Sequence, residues 1–433
     1  MDARIRAMGK RLAGCILGAL TMTSVSSAAT AVEPGPDASP VTAEWSEYIR
    51  PFVTMGDEML PLLPDKGDGQ ARHELYEYLF SQIASGYAML FYSDPENPDW
   101  WPLFSHVFDA LWANPDTIYY YSVVDSAGTY RVSGKRGAAR LVDLQLGGGR
   151  FVTEGNTSGG MGVVQGNVNL DSLRRDGSGR FEVIVSPSRP AGYAGDWVKL
   201  TPETTYLLLR QVDYDWGVPQ AEVGIERLDT PARGSRPTQA ELQQKLRQIA
   251  TWTRTWINVA YSISKRDRAR SEKAGDFVLV DWLESGFGDQ KYHAYGFDLQ
   301  DDEAVVIESQ VPKQCAYWAY QMVTDSWRAI NPLKHQSSLN PRQAHLDEDG
   351  KFRAVISSTD PGVQNWLDTG GHDRALVYSR FNGCDVVPLP TARVVKKADL
   401  MKVLPPATPR VTPEQRETSL RERARLGQTR RRW

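Results

Sequence analysis

Two acidic residues that flank a tyrosine are the first feature of this 433-residue chain that could support chemistry. Asp213 and Asp215 enclose Tyr214 and precede Trp216. On a strand, the two carboxylates would face the same side, because side chains alternate along a strand. Paired carboxylates beside aromatic rings are groups that bind or hydrolyse a sugar. A solvent-facing strand end, with core aromatics on the opposite face, is the alternative interpretation.

Further polar and aromatic residues precede this pair. Asn114 and Asp116 come shortly before three consecutive tyrosines that end at Tyr121. Together with Trp216, they are candidate ligand-binding residues of the first half of the chain. Tryptophan and tyrosine are plentiful throughout, at 13 and 18 residues. Such side chains either fill a large core or line a concave ligand site, and composition does not separate the two.

A third group of candidates lies in the second half of the chain: Asn340, Arg342, Asp360, Asn365, Trp366, Asp368, His372 and Arg374. The segment from Trp366 to His372 is typical of a rigid turn that could present Asp368 and His372 for acid–base chemistry. We interpret Asn340, Asn365, Trp366 and Arg374 as candidate ligand-binding residues. In the alternative interpretation, the Asp and Asn side chains satisfy the backbone of turns, and Trp366 caps a sandwich.

Other kinds of site lack a signal in the sequence. The six histidines form no metal-ligand spacing, and GxSxG, SxxK and phosphate-binding-loop motifs are absent. We therefore expect no metal and no organic cofactor. The acidic segment 345–350 and the glycine-rich segment 159–166 are interpreted as a turn and a loop. The net charge of −3 gives no reason to expect a nucleic-acid partner.

The N-terminus has the layout of a secretory signal peptide. Basic residues precede a short apolar segment and small-residue cleavage sites that end at Ala28 or Ala31. We therefore expect residues 1–31 to be a signal peptide and the mature protein to be periplasmic or secreted, without a membrane span. Cleavage would leave Cys315 and Cys384, which form either a disulfide or two buried thiols.

The rest of the chain alternates between helical and strand-like patterns. We predict a leader and helical segment at 32–113, a β-unit at 114–230, a linker and helical segment at 231–290, a second β-unit at 291–395, and a polar basic tail at 396–433. For this tail, a frayed and solvated end is favoured over contact with an anionic surface.

The two predicted β-units resemble each other in sequence. "GRFEVIVSPSRPAGYAGDW" (179–197) aligns with "GKFRAVISSTDPGVQNW" (350–366), which matches Trp197 with Trp366. Upstream strands correspond at a similar offset, in the same order. The sequence therefore predicts a mainly β protein with helical insertions (α+β), built from two repeated jelly-roll-like β-sandwich units, each preceded by helix.

The second half also resembles a known family. "DDEAVVIESQVP", "CAYWAYQMVTDSW" and "DPGVQNWLDTGGH" look like the bacterial family of unknown function numbered 1214, over about residues 290–382. The first half is similar to the longer architecture in which this domain is often paired with family 1254, although the full pattern of family 1254 is not present. The resemblance implies jelly-roll-like β-domains and no established activity, and it assigns no catalytic residue.

Three functions are compatible with these observations. We favour an exported protein that binds or processes a small molecule or glycan, because aromatic residues and a β-sandwich suit a ligand site. The second hypothesis is a structural protein that assembles into a symmetric homo-oligomer. The third is a hydrolase or lyase that uses Asp and His side chains. The sequence does not decide whether the protein is an enzyme.

Overall fold

A computed structural model describes residues 40–105, 107–109, 112–149, 162–280 and 290–430. The predicted signal peptide at 1–31 lies outside these residues, as do most of the leader and the beginning of the glycine-rich segment. The chain divides into two compact units, Met1–Glu47 and Tyr48–Trp433. All contacts discussed below belong to the second unit.

Six helices occur in the described residues: α1 (Pro40–Val53), α2 (Met55–Met59), α3 (Gly69–Tyr87), α4 (Gln239–Ala274), α5 (Leu400–Val403) and α6 (Pro413–Thr429). The two longest helices, α3 and α4, each begin at a side chain that caps the backbone. The Asp68 carboxylate accepts two backbone N–H groups at the start of α3. Thr238 and Glu241 form a capping box at the start of α4. Gly275 ends α4 with a φ of 68°, a left-handed conformation that glycine adopts without strain.

In the described residues between α3 and α4, eight strands occur: β1 (Thr117–Val123), β2 (Tyr130–Lys135), β3 (Leu141–Gly148), β4 (Val163–Asn169), β5 (Arg180–Ser186), β6 (Asp196–Lys199), β7 (Thr204–Val212) and β8 (Glu222–Arg227). They form two four-stranded sheets, with strand orders β1-β7-β3-β4 and β6-β5-β2-β8. Apolar side chains from both sheets, such as Leu144, Leu207 and Val183, meet in one buried core.

The part of the chain after α4 that the structure describes has nine strands: β9 (Val278–Leu279), β10 (Lys291–Asp298), β11 (Glu303–Ser309), β12 (Cys315–Thr324), β13 (Ser338–Leu339), β14 (Phe352–Ser357), β15 (Trp366–Asp368), β16 (Arg374–Cys384) and β17 (Thr391–Lys396). Their sheets have the orders β13-β12-β16-β10-β9 and β15-β14-β11-β17. A second core, which includes Trp318, Tyr320 and Phe352, fills the space between them. The expectation of a mainly β protein with helices is confirmed.

The strand pairings of β10–β17 reproduce those of β1–β8 in the same order. In each set, the fifth and sixth strands are parallel and the other pairs are antiparallel. Trp197 aligns with Ile184 in the first set, and Trp366 aligns with Val355 in the second. The indole N–H of Trp197 donates to Ser186 Oγ, and that of Trp366 donates to the Ser357 carbonyl. The two tryptophans thus have corresponding positions.

Helix α4 packs against strands from both sets. Its Trp252 and Trp256 share a buried cluster with Tyr206 and Leu208 of β7. The adjacent Ile257 and, one turn later, Ala260 lie in a cluster with residues of β10 and β16. Burying such rings and branched side chains removes a large apolar area from water, which favours one continuous folded unit.

Cys315 and Cys384 form a disulfide across neighbouring strands β12 and β16, where the two residues are register partners. The bond closes a sequence separation of 69 residues. Of the two alternatives left open by the sequence, the structure therefore has the disulfide. In the described part of the chain, every helix is too short or too polar to span a membrane.

Candidate functional site

Asp116 is the centre of a buried hydrogen-bond network that joins the two sets of strands. It lies just before β1 and is 1% exposed. Its Oδ1 accepts the Trp216 indole N–H at 2.8 Å and the Asn340 side-chain amide at 2.9 Å. Its Oδ2 accepts the Tyr317 hydroxyl at 2.7 Å. The network formed by these four residues, called the Asp116 network below, contains three residues that the sequence nominated.

Asn114 extends the network and fixes the direction of its hydrogen bonds. Its Nδ2 lies 2.9 Å from the Tyr317 hydroxyl oxygen, and its Oδ1 accepts the Asp116 N–H at 3.0 Å. Tyr317 donates to Asp116 and accepts from Asn114, since a phenol has one proton. Burial, reinforced by the negative charge of Asp116, raises the pKa of Tyr317 well above its usual value. Tyr317 therefore remains a donor at physiological pH.

Two arginines of the C-terminal segment close the network from outside the sheets. The guanidinium carbon of Arg423 lies 4.5 Å from the Trp216 ring centroid, and that of Arg430 lies at 5.6 Å. Arg430 also donates to the carbonyls of Pro115 and Asp116. Burial lowers the pKa of each arginine to about 10, and the nearby Asp116 opposes this effect. Both side chains therefore stay positively charged at neutral pH.

The prediction of a frayed, solvated C-terminal end is wrong for residues 413–430. Helix α6 buries Arg416 and Arg423, and Arg430 directly follows the helix; the three are 5%, 8% and 5% exposed. Arg416 and Arg423 are seven residues apart, so they lie on nearly one face of the helix. Their hydrogen bonds to buried carbonyl, hydroxyl and carboxylate oxygens compensate for the loss of water.

Asp213 and Asp215 follow β7 instead of lying within it, so the expected same-side strand geometry is wrong. Asp213 is buried and accepts the backbone N–H groups of Arg140 and Asp215, each at 2.7 Å. Asp215 is more exposed and forms an ion pair with Arg342 at 3.0 Å. These turn-forming bonds end the strand, because a carboxylate competes well for nearby backbone donors. Only Asp215 lines the cleft described next.

A cleft of about 530 Å³ lies between α6 and the segment that follows β13. This volume is in the range of small-molecule sites. Most of the residues that line it carry amide, guanidinium, carboxylate or hydroxyl groups: Tyr214, Asp215, Trp216, Gln336, Leu339, Arg342, Gln343, Gln364, Arg410, Val411, Gln415, Arg416, Ser419, Glu422, Arg423 and Leu426. Trp216 belongs to both the cleft and the Asp116 network, and Arg423 of the lining packs on its ring, so the network supports one wall of the cleft.

The glutamines of the cleft differ in how far their own hydrogen bonds are used. Gln336 donates to the carbonyls of Gln364 and Trp366 and accepts from Arg416. Gln343 and Gln415 accept one backbone N–H each through Oε1. Among the described residues, no hydrogen bond involves the amide nitrogens of Gln343 and Gln415 or the side-chain amide of Gln364. These groups can therefore donate to a ligand, and Gln364 can also accept.

The acid–base pair expected from Asp368 and His372 takes a different form. Asp368 Oδ2 lies 2.8 Å from Nδ1 of His335, and Asp368 Oδ1 accepts the Gly370 N–H. The backbone of His372 closes the same turn by donating to Thr369. His335 is separated from Asp368 by 33 positions, so no local spacing could have indicated this partner.

The remaining candidates occupy other places in the fold. The side-chain amide of Asn365 accepts the His345 N–H and donates to the carbonyls of His345 and Arg353. Arg374 forms ion pairs with Asp325 and Asp298. Trp366 is buried at the edge of its sheet. These contacts match the structural interpretation of the cluster, and only Asn340 of this half joins the Asp116 network.

Tyr121 lies in the core, where its ring stacks on Tyr206 at 5.2 Å and meets Trp101 edge-on. It does not line the cleft. The described ranges contain no group of three or more His, Cys, Asp or Glu side chains placed to hold a metal ion.

Comparisons with known proteins found one matching family and similar solved structures. Residues 295–385 match a family described as a protein of unknown function (DUF1214), which confirms the resemblance of the second half. An uncharacterised protein from Burkholderia cenocepacia has a similar solved structure, with a TM-score of 0.75 and 26% identity over 83% of this chain and 98% of that chain. A protein from Vibrio parahaemolyticus matches with a TM-score of 0.44 and 14% identity, over 74% of this chain and 98% of that chain. No curated protein sequence matches the chain.

Proposed function

We propose that this protein is exported and binds a polyhydroxylated small molecule, a saccharide, in the cleft between α6 and the segment after β13. The observation that carries the proposal is the lining of the cleft. Gln343, Gln364 and Gln415 offer amide groups whose hydrogen-bonding capacity is not fully used. A sugar hydroxyl both donates and accepts, so side-chain amides, guanidiniums and carboxylates are suitable partners for it.

The rigidity of the cleft wall supports binding as the function. Trp216 is hydrogen-bonded to Asp116 and packed against Arg423. Arg416 forms an ion pair with Asp360 at 2.9 Å. A wall whose side chains are already held in place loses little conformational entropy when a ligand binds.

Export is supported by the N-terminal pattern of residues 1–31 and by the disulfide, which is typical of oxidising compartments. Mass spectrometry of material recovered from the periplasm or the medium should find a mature N-terminus near residue 29 or 32, as the cleavage pattern predicts. A chain that begins at Met1 in that material would contradict export by signal cleavage.

We also propose that β1–β8 and β10–β17 are a duplicated, jelly-roll-like unit. Besides the shared strand order, Tyr119 is the register partner of Arg210, and Tyr292 is the partner of Arg380. The adjacent strands carry Gln145 and Gln321 at corresponding places. Pairing of this architecture with a family 1254 domain remains a prediction, as does assembly into a homo-oligomer.

A thermal-shift screen against mono- and oligosaccharides tests the binding proposal. A ligand that binds only the native state raises the unfolding midpoint by mass action. The double variant Gln343→Ala/Gln364→Ala should lose the shift, because it removes amides that face the cleft. The control Gln300→Ala changes a glutamine outside the cleft and should retain the shift. Absence of a shift with every saccharide at millimolar concentration would contradict the proposal.

A further inference from the structure

The charges around the cleft are unequal. Its lining contains four guanidinium groups and two carboxylates, which leaves a formal excess of positive charge. The protein as a whole has a net charge of −3. The positive cleft is therefore a local feature and does not follow from the overall composition.

Most of these charges have partners within the protein. Asp215 pairs with Arg342 at 3.0 Å. The other carboxylate of the lining, Glu422, pairs with Arg425 at 2.7 Å on the exposed side of α6. Arg416 is neutralised by Asp360. Neither carboxylate of the cleft is therefore available to balance a further guanidinium.

Two arginines of the lining have no carboxylate in direct contact among the described residues. Arg423 is buried and donates to the Pro332 carbonyl and the Ser338 hydroxyl, which are both neutral. Arg410 is exposed, and within the described ranges its guanidinium has neither an ion pair nor a hydrogen bond. Among the four arginines of the lining, Arg410 therefore has all of its guanidinium donors available for a ligand.

The backbone at Arg410 is fixed although its side chain is free. Arg410 forms a β-bridge with Val363. On either side, Gln364 donates to the Pro409 carbonyl, and Val411 donates to the Gly362 carbonyl. These bonds hold the Arg410 Cα beside the cleft. A guanidinium that starts from such a fixed position is suited to binding a carboxylate or phosphate with two parallel hydrogen bonds.

We propose that the ligand is an anionic saccharide, whose carboxylate or phosphate group binds Arg410 while its hydroxyls bind the glutamine amides. This inference rests on the proposed function and specifies its ligand class. Arg342 lies in the same lining, but its charge is balanced by Asp215, so we assign the preference for an anion to Arg410. A neutral sugar would leave the positive charge of Arg410 uncompensated, so the anionic form should bind more tightly.

Isothermal titration calorimetry with matched hexoses tests the inference. Glucose, glucuronate and glucose 6-phosphate, and the corresponding galactose and mannose sets, are titrated into the mature protein at low and high salt. We expect at least one anionic hexose to bind about tenfold more tightly than its neutral counterpart, a difference of about 1.4 kcal/mol. This preference should decrease at high salt because ions screen exposed charges. Whether the uronate or the phosphate binds identifies the source of the negative charge.

Arg410→Gln should abolish the preference, since it removes the positive charge that the anionic group would contact. The matched control is Arg421→Gln on the outer face of α6, where Arg421 pairs with Glu417 and is largely exposed. The control should retain the preference.

Each outcome separates the two proposals. Equal affinities for neutral and anionic hexoses would overturn the anionic inference and leave saccharide binding intact. A preference that persists in Arg410→Gln would overturn the role of Arg410. No binding of any hexose, together with no thermal shift by longer saccharides, would overturn both proposals.

Discussion

Asp116 accepts hydrogen bonds from side chains of three segments that are distant in sequence. Its carboxylate therefore connects the two sets of strands. Trp216, Asn340 and Tyr317 all donate to it, and Arg423 and Arg430 lie close by. Replacing the Asp116 carboxylate by a neutral group would remove the negative charge and part of the hydrogen bonding. Removing one partner from a buried ionic network generally costs more than the intact network contributes.

Asp116→Asn should therefore lower the free energy of unfolding by about 3 kcal/mol. The amide would present a donor where Asp116 now accepts, and the two buried arginines would lose a compensating charge. Urea unfolding followed by tryptophan fluorescence measures the effect. Asp301→Asn, at an exposed turn position, is the control and should change stability by less than about 0.5 kcal/mol. Equal stability of the two variants would contradict the central place of Asp116.

Asp143 is a second buried carboxylate, and its burial disfavours the ionised form. It lies in β3 opposite Arg210, and its Oδ2 has no hydrogen-bond partner among the described residues. Burial raises the pKa of Asp143 to about 6, although the attraction of Arg210 acts in the opposite direction. The folded state therefore binds a proton more tightly than the unfolded state does.

This pKa predicts a pH dependence with a definite sign. The stability associated with protonated Asp143 is complete below about pH 4 and is lost as the pH rises through about 6. Asp143→Asn should remove this loss and increase stability at pH 7.5 by about 3 kcal/mol relative to the native chain. Denaturant unfolding of both proteins from pH 4 to 8 tests the prediction. A native-minus-variant difference that does not change with pH would refute it.

At the scale of elements, α6 is part of the folded core through one face. Arg423 packs on Trp216 and donates to oxygens of Pro332 and Ser338. Arg421, two residues earlier, points outward. The helix therefore combines a buried arginine face with a solvated charged face.

Arg423→Met should lower the free energy of unfolding by about 3 kcal/mol. The Pro332 carbonyl and the Ser338 hydroxyl would lose their hydrogen-bond donor, and Asp116 would lose a nearby positive charge. Arg421→Met should be nearly neutral, since an exposed ion pair on a helix contributes about 0.5 kcal/mol or less. Chemical denaturation of both variants gives the comparison. Similar losses for the two would indicate that α6 acts through its helicity and not through the buried face.

Local patterns in the sequence predicted several helices and strands. They failed where contacts between residues distant in sequence determine whether a segment is buried. The helical periodicity of 239–265 indicated α4, whose observed end at Ala274 extends further because Gly275 caps it. The seven-residue spacing of Arg416, Arg423 and Arg430 was visible, but net polarity suggested a solvated tail. Polar groups as far apart in the chain as Asp116 and Arg430 show their partnership only after folding.

The candidate site shows the same division. Asn114, Asp116, Trp216 and Asn340 were nominated from composition and local context, and the structure brings them together. Tyr317 was missed because its strand pattern is equally typical of a core residue. The cleft amides were also missed, since glutamines in turns and at a helix start have no pattern that identifies them as ligand-binding.

At the scale of the whole molecule, α4 and the Asp116 network make the two sets of strands interdependent. Helix α4 packs on strands of both sets, and the network crosses between them. Residues 48–433 accordingly form one compact unit. Elements that share one continuous core generally unfold together.

Differential scanning calorimetry of the disulfide-bonded protein should therefore show one transition, with equal calorimetric and van't Hoff enthalpies. Phe297→Ala in the second core should lower the midpoint of this single transition and should not create a second one. Two resolved transitions in the native protein would show that the strand sets are energetically independent.

The most direct test of saccharide binding is a crystal structure of the mature protein grown with the saccharide that gives the largest thermal shift. The account predicts sugar density between α6 and the segment after β13, with hydroxyls in hydrogen-bond contact with Gln343 or Gln364 and any acid group beside Arg410. Clear sugar density at another surface, with the cleft empty, would contradict it.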